Sequence, residues 1–269
     1  MSAATELDHV ALAVRDIAAA AAAWEALGFA LTPLAVHADA AGVPTGTGNR
    51  CAMLGHGYVE LIAVIEPSRP SRTLAEFIGR YEGAHILSLA VDDAMAAQAR
   101  LARAGIEVAL AATSRMTQGG AARFERLPVT GAVPRLQLIR QLTPELVWRA
   151  ADMAHPNQAV ALEEVLMVAE VPAALAALLS RVAGRPMRPD PAGGFVSHLP
   201  QGKMRVLAPE VMRTVLPGAA SVPAPGIAGV VIATGDGNRA VTALGIGRPV
   251  NGGRLAMAAG AAVLFRPAA

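Results

Sequence analysis

Cysteine is nearly missing from this chain of 269 residues. Cys51 is the one thiol, so neither an internal disulfide nor a cysteine-rich zinc site can be built. It lies in the apolar run Cys51-Ala52-Met53-Leu54, where a small buried hydrophobe is the expected role. Aromatic residues make up 3%, too few for platforms on which bases stack, and no dense run of Lys or Arg accompanies them. With a formal net charge of only +2, nucleic acid is not the expected partner. Long apolar runs are missing too, although 54% of residues are hydrophobic and the mean hydropathy is +0.42. A spanning helix needs about 20 uninterrupted apolar residues, and the best candidate, residues 159–179, is broken by Glu163, Glu164, Glu170 and Pro172. Much of the hydropathy is alanine, which suits helices and cores as well as lipid. The N-terminus carries acidic rather than basic residues and enters a strand pattern directly, unlike a signal peptide. The expectation is a cytoplasmic protein with no membrane partner.

What the chain does contain is a repeat at an offset of 77 residues. Leu12-Ala13-Val14 and Asp16 recur as Leu89-Ala90-Val91 and Asp93; Gly28 recurs as Gly105; Leu61-Ile62 and Pro67 recur as Leu138-Ile139 and Pro144. Unrelated segments would not hold one register across a strand, a helix, a turn and a later strand, so one module is duplicated. The copies differ in their polar groups: His9 matches Ile86, Glu60 matches Gln137, and Asn49 matches Arg126.

Each copy opens on a strand. In the first, Val10, Leu12 and Val14 share one face and His9, Ala11 and Ala13 the other. The large aliphatic face should meet a helix; the small residues beside one histidine leave room for a ligand cleft. Asp16 is placed to cap a helix that Gly28 closes, and Asp93 and Gly105 repeat the arrangement. Three further strands are expected in each unit, at about 30–36, 50–54 and 58–64, then 107–111, 123–127 and 135–141. A linker falls at 149–158, where the strand pattern lapses. Beyond it a third unit (a strand at 165–168, a helix from Pro172 to Leu179, strands near 194–198 and 203–207) and a more worn fourth follow the same order.

Strand-helix-three-strand modules opened by Leu7-Asp8-His9-Val10 and closed by Gly57-Tyr58-Val59-Glu60-Leu61-Ile62 resemble the vicinal oxygen chelate superfamily, and within it the glyoxalase-like proteins. Thr45-Gly46-Thr47-Gly48-Asn49, Thr143-Pro144-Glu145-Leu146-Val147-Trp148 and His155-Pro156-Asn157 are similar to segments of that group. The resemblance implies an α+β fold of tandem βαβββ modules in two domains: residues 1–150, with modules at about 5–75 and 82–148, and a degenerate second domain at 159–269. It also implies that paired modules curl around a cup holding one divalent metal ion, with ligands from the first and last strands of each module. Here those positions read His9, Glu60, Ile86 and Gln137. Ile86 cannot bind a metal, and the amide oxygen of Gln137 is a weak ligand.

On the resemblance, His9 and Glu60 are the metal ligands and Glu60 the catalytic group, while Asn49, Arg126, Gln137, His155 and Asn157 contact substrate. Each has a plainer alternative. His9 could be a core histidine bonded to a backbone carbonyl; Glu60, in the apolar run 59–64, needs a metal, a cation or a hydrogen-bond partner unless it sits at an exposed edge. Arg126 could clamp an oxyanion in a bidentate contact, or be solvated beside Glu125. His155 and Asn157 could reach the mouth of the cup, or Asn157 could serve loop backbone groups. His85 lies one residue from a ligand position and reaches the cup only through a bulge; His37 could border the pocket, and His56 reads as a turn residue. In the second half the matching positions are Glu164, Gly229, Arg205 and Val263, which make no metal set and leave a structural or dimer-forming role. Two functions follow: a metal-assisted lyase, isomerase or dioxygenase acting on a small oxygen-rich molecule, or a metal-free protein that binds or sequesters such a molecule.

Overall fold

The structure is a computed structural model and describes residues 3–268. Its first half runs β1 (Glu6–Ala13), α1 (Ile17–Ala26), β2 (Ala35–Ala38), β3 (Pro44–Met53), β4 (Tyr58–Val64), α2 (Arg72–Arg80), β5 (Gly83–Ala90), α3 (Ala94–Arg103), β6 (Ala111–Thr117), β7 (Gly120–Val129) and β8 (Arg135–Gln141). These strands close into one barrel in the order β1-β4-β3-β2-β6-β7-β8-β5. Two copies of one module therefore share a single cup, joined by two unequal seams. The β1/β5 seam is long and antiparallel, whereas β2 and β6 meet at only two pairs, His37↔Arg115 and Ala38↔Ser114.

Local chemistry sets the helices as the repeat requires. The Asp16 carboxylate accepts from the backbone N–H of Ala18 and Ala19, and Asp93 caps α3 through Ala96. Gly28 ends the first helix with φ +76°, a left-handed conformation that favours glycine. It is also a point of close approach: a Cβ there would lie 2.9 Å from the Cβ of Asn157. Val10 and Leu12 of β1, with Val14 just beyond its end, are fully buried in a core with Trp24 of α1 and Leu101 of α3. Each such side chain contributes about 1.5–3 kcal/mol when buried.

After β8 come a short helix α4 (Pro144–Val147) and a 3₁₀ turn, then β9 (Ala159–Val168), α5 (Pro172–Ala183), β10 (Arg188–Pro189), β11 (Phe195–His198), β12 (Lys203–Leu207), α6 (Pro209–Val215), β13 (Gly226–Thr234), α7 (Arg239–Ala243), β14 (Arg248–Val250), β15 (Gly253–Ala258) and β16 (Ala261–Pro267). These strands form a second eight-stranded sheet, left open, in the order β10-β11-β12-β9-β13-β16-β15-β14. One apolar core runs through both halves, with Leu7 and Val10 of the barrel in the same cluster as Val165, Ile227 and Phe265. On the other face of the second sheet Met212 and Val215 of α6, with Leu216, pack onto Leu166, Val168, Val231 and Leu264. α6 thus covers this face of the second sheet. Among the described residues no helix is long and apolar enough to cross a membrane.

The sequence pattern does not anticipate α2 or α6. Both carry helical signals: Ser71 caps α2 ahead of Leu74 and Phe77, and Pro209 stands in the first turn of α6 ahead of Met212 and Val215. The two helices act differently, since α2 lines the mouth of the barrel's cup and α6 packs on one face of the other sheet.

Candidate ligand-binding cup

The barrel encloses a cavity of about 440 Å³, of a size that suits a metabolite. Strand alternation delivers His9 from β1, Asn49 from β3, Tyr58 and Glu60 from β4, Arg126 from β7 and Gln137 from β8 to its wall. His37 of β2 joins them, as do Arg115 of β6 and Arg135 of β8, two groups that the linear pattern does not single out.

Glu60 is the centre of the polar wall. Its Oε2 lies 3.5 Å from His9 Nε2, its Oε1 lies 3.5 Å from His37 Nε2, and the Asn49 amide donates to Oε1. Burial alone would raise its carboxyl; His37, His9 and Asn49 together outweigh that and hold it well below the usual carboxylate range. His37 is itself fixed by a 2.9 Å hydrogen bond between Nδ1 and Thr47 Oγ1.

His9 is oriented by its chain neighbour. Residues 8 and 9 of a regular strand would face opposite ways, but the register with β5 shifts between Leu7 and His9, so Asp8 is the extra residue of a bulge. The His9 Nδ1–H donates to Asp8 Oδ1 at 2.5 Å, and Gln141 donates to Asp8 Oδ2 at 2.8 Å. On its other side His9 Nε2 shares a 2.8 Å hydrogen bond with Ser88, which also accepts from Gln137 at 2.6 Å. The His9 ring stacks on Tyr58 at 4.6 Å between centroids.

Three residues expected at or near the cup lie elsewhere. A bulge does fall at His85, yet its ring is stacked with Phe77 and Tyr81 and its Nε2–H donates to the Tyr81 carbonyl. Burial pushes the His85 imidazole below its ordinary value. His155 accepts from the Ala30 N–H and donates to the Met53 carbonyl, bridging the connecting segment to the barrel. Asn157 donates to the Leu27 carbonyl and accepts from Ala159, fully buried against Gly28. Both serve backbone groups rather than the cavity. Cys51 is buried, and burial pushes its thiol up to about 11, so it stays protonated.

The pattern that defines a family described as a Glyoxalase-like domain matches residues 7–183. The chain belongs to this family. The glyoxalase-like assignment agrees with the barrel of paired modules, and solved structures share the architecture. A hypothetical protein from Staphylococcus aureus superimposes with a TM-score of 0.72 at 12% identity, covering 98% of this chain and 99% of that one. A triple mutant of 4-hydroxymandelate synthase from Streptomyces coelicolor gives 0.61 at 15%, covering 91% and 76%. An Mn(II)-bound glyoxalase from Novosphingobium aromaticivorans gives 0.58 at 16%, covering 98% and 82%. Identities this low establish the fold alone. No curated protein matches the chain in sequence.

The glyoxalase-like fold brings with it the expectation of a divalent ion, and the donor set can be tested against it. Of the four positions, Ile86 presents only hydrocarbon, Gln137 offers only a neutral amide oxygen while its N–H donates to Ser88, and His9 Nε2 already has the Ser88 hydroxyl as partner. Three guanidinium groups share the cavity wall, which disfavours a cation. Among the described residues no three His, Cys, Asp or Glu side chains gather as a metal site. His9 and His37 both approach Glu60, but His9 Nε2 is shared with Ser88 and both histidines turn toward the carboxylate itself, so the three are not arranged to hold an ion.

Proposed function

We propose that the cup binds a small, oxygen-rich carboxylate and holds it without a metal ion. The observation that carries this reading is the state of two arginines. Arg126 has one hydrogen bond, from Nε to Thr113 Oγ1 at 3.1 Å, and Arg135 has none; neither has a carboxylate partner among the described residues. Desolvation lowers the pKa of both, and Arg135 adds to the effect on Arg126. A half-buried cation without a counter-ion is costly to the empty protein and favourable for an incoming anion. The guanidinium fork matches a carboxylate in two parallel hydrogen bonds.

The rest of the wall suits the remainder of such a molecule. Ile62, Leu74, Phe77 and Phe124 offer apolar contact, and Glu60 can accept a hydrogen bond from a ligand hydroxyl. A carboxylate held so firmly in its anionic form is a weak base, which supports binding over proton abstraction by Glu60. Lyase, isomerase or dioxygenase chemistry through a metal would need donors that Ile86 and Gln137 do not supply. We read the C-terminal half as a structural cover, since α6 occupies the face that would form a second cup.

Thermal-shift measurements with a panel of aromatic and aliphatic carboxylic acids, each paired with its neutral amide, test the reading. Acids should raise Tm and amides should not, and Arg126→Gln should abolish the difference. Equal shifts from acids and amides, or one equivalent of divalent metal in protein purified without a histidine tag, would overturn it.

A further inference from the structure

Arg115 is the third guanidinium on the cup wall and takes no part in the carboxylate contact proposed above. It lies on β6 opposite His37, at the short seam between modules, and is only 6% exposed. Its guanidinium is 5.5 Å from the ring centroids of Tyr58 and of Phe124, which fixes its plane. Of its five N–H donors one is used, by Nη1 toward the Cys51 sulfur at 3.2 Å, and a thiol is a weak acceptor. No carboxylate forms an ion pair with it among the described residues. A buried, rigid guanidinium with most donors unspent and its side chain on the cup wall is a built anion site.

Asn49 supplies an independent sign at the same place. Its Nδ2 donates to Glu60, which leaves Oδ1 as a buried acceptor with no partner in a residue 1% exposed. Asn49 and Arg115 together border both the main cup and a smaller side cavity of about 250 Å³ at the seam. Charge points the same way. Arg115, Arg126 and Arg135 line the cup against Glu60, and the one other acid on its wall, Asp39, is at the exposed rim with its carboxylate capping Ala41 and Val43 of its own turn. Asp8 lies behind His9, engaged with it and with Gln141. Inside that rim the three guanidinium groups outnumber the one carboxylate, Glu60, by two; over the whole lining, Asp39 included, they outnumber the acids by one.

We infer that the ligand is a dicarboxylic acid: one carboxylate meets Arg126 and Arg135, the second meets Arg115, and a hydroxyl or amide N–H beside the second donates to Asn49 Oδ1. This rests on the carboxylate reading above and adds the second acidic group. Nothing in it requires a bond to be made or broken.

Isothermal titration calorimetry with α,ω-dicarboxylates from succinate to pimelate and with phthalate, each against the monocarboxylate of equal carbon count, tests it. The best diacid should bind about tenfold or more tighter than its monoacid, the scale of one charge-assisted contact. In Arg115→Met that ratio should fall to about one. Arg115→Lys keeps charge and volume but loses the fork, so it carries the test if the methionine variant does not fold; there too the ratio should fall at least threefold. Arg126→Gln should weaken both series together. A wild-type ratio near one, or a ratio retained in both Arg115 variants, overturns the second subsite and leaves the first standing. Failure of every mono- and dicarboxylate to bind overturns the carboxylate reading and this inference with it.

Discussion

Asp8 and His85 occupy the same bulge in the two copies of the module, 77 residues apart, and they face different partners. In the first copy the bulge turns Asp8 onto His9 Nδ1; in the second it leaves His85 stacked with Phe77 and Tyr81. One backbone irregularity thus orients a polar group for the cup in one module and closes the wall behind α2 in the other.

The Asp8 contact should be visible in stability. Asp8 is fully buried and accepts from both His9 and Gln141, so Asp8→Asn replaces an acceptor with an amide that opposes one of those donors. We expect a loss of about 1–3 kcal/mol, read as a lower urea midpoint at constant m value. An unaltered midpoint would show that the bulge alone positions His9.

Acid should act in two stages. His85 and His155 are pushed below their ordinary values by burial, so the unfolded state takes up protons first as pH falls through about 6.5. Stability they contribute is complete above that pH and declines below it. Glu60 is held below its ordinary value, so its contribution is complete above about pH 4.5 and is lost only as pH falls further toward its folded value. Tm measured against pH should fall in both windows; His155→Gln should soften the first, and Glu60→Gln the second. A profile flat from pH 7 to 5 contradicts the histidine assignment.

Two glycines separate backbone preference from close packing. Gly28 and Gly105 end matching helices at φ +76° and +71°, yet an added Cβ meets Asn157 at the first and open space at the second. Gly105→Ala should cost about 1–2 kcal/mol, the left-handed penalty. Gly28→Ala should cost clearly more in the same chemical denaturation series; equal losses would mean that Asn157 moves aside freely.

The unpaired arginines make a less usual forecast. Arg135→Met removes a desolvated cation without breaking any hydrogen bond, so the ligand-free protein should be as stable as the parent or more so by up to about 1 kcal/mol. Binding of carboxylates should weaken at least tenfold in the same variant. A destabilised protein would reveal a structural role for Arg135 instead.

Much of this was legible in the chain. The alternation in β1 separates Val10 and Leu12 from His9, and Asp16 with Gly28 frames α1, because those signals are local. The apposition of Asn49, Glu60, Arg126 and Gln137 followed from one offset and strand parity. What stayed hidden depends on distance or on broken periodicity. A bulge at Asp8 defeats period-two reasoning, Arg115 in Thr113-Ser114-Arg115-Met116 reads as surface charge until the seam buries it, and His155 is drawn to Ala30 and Met53 by packing across more than a hundred residues.

The central claim is that two unpaired arginines, not a metal, receive the ligand. A crystal structure of the protein with the tightest-binding acid of the panel tests this most directly. The account predicts a carboxylate within about 3 Å of the Arg126 and Arg135 guanidinium nitrogens, with no metal density between His9 and Glu60. A ligand whose oxygens instead chelate an ion held by His9 and Glu60 would contradict it.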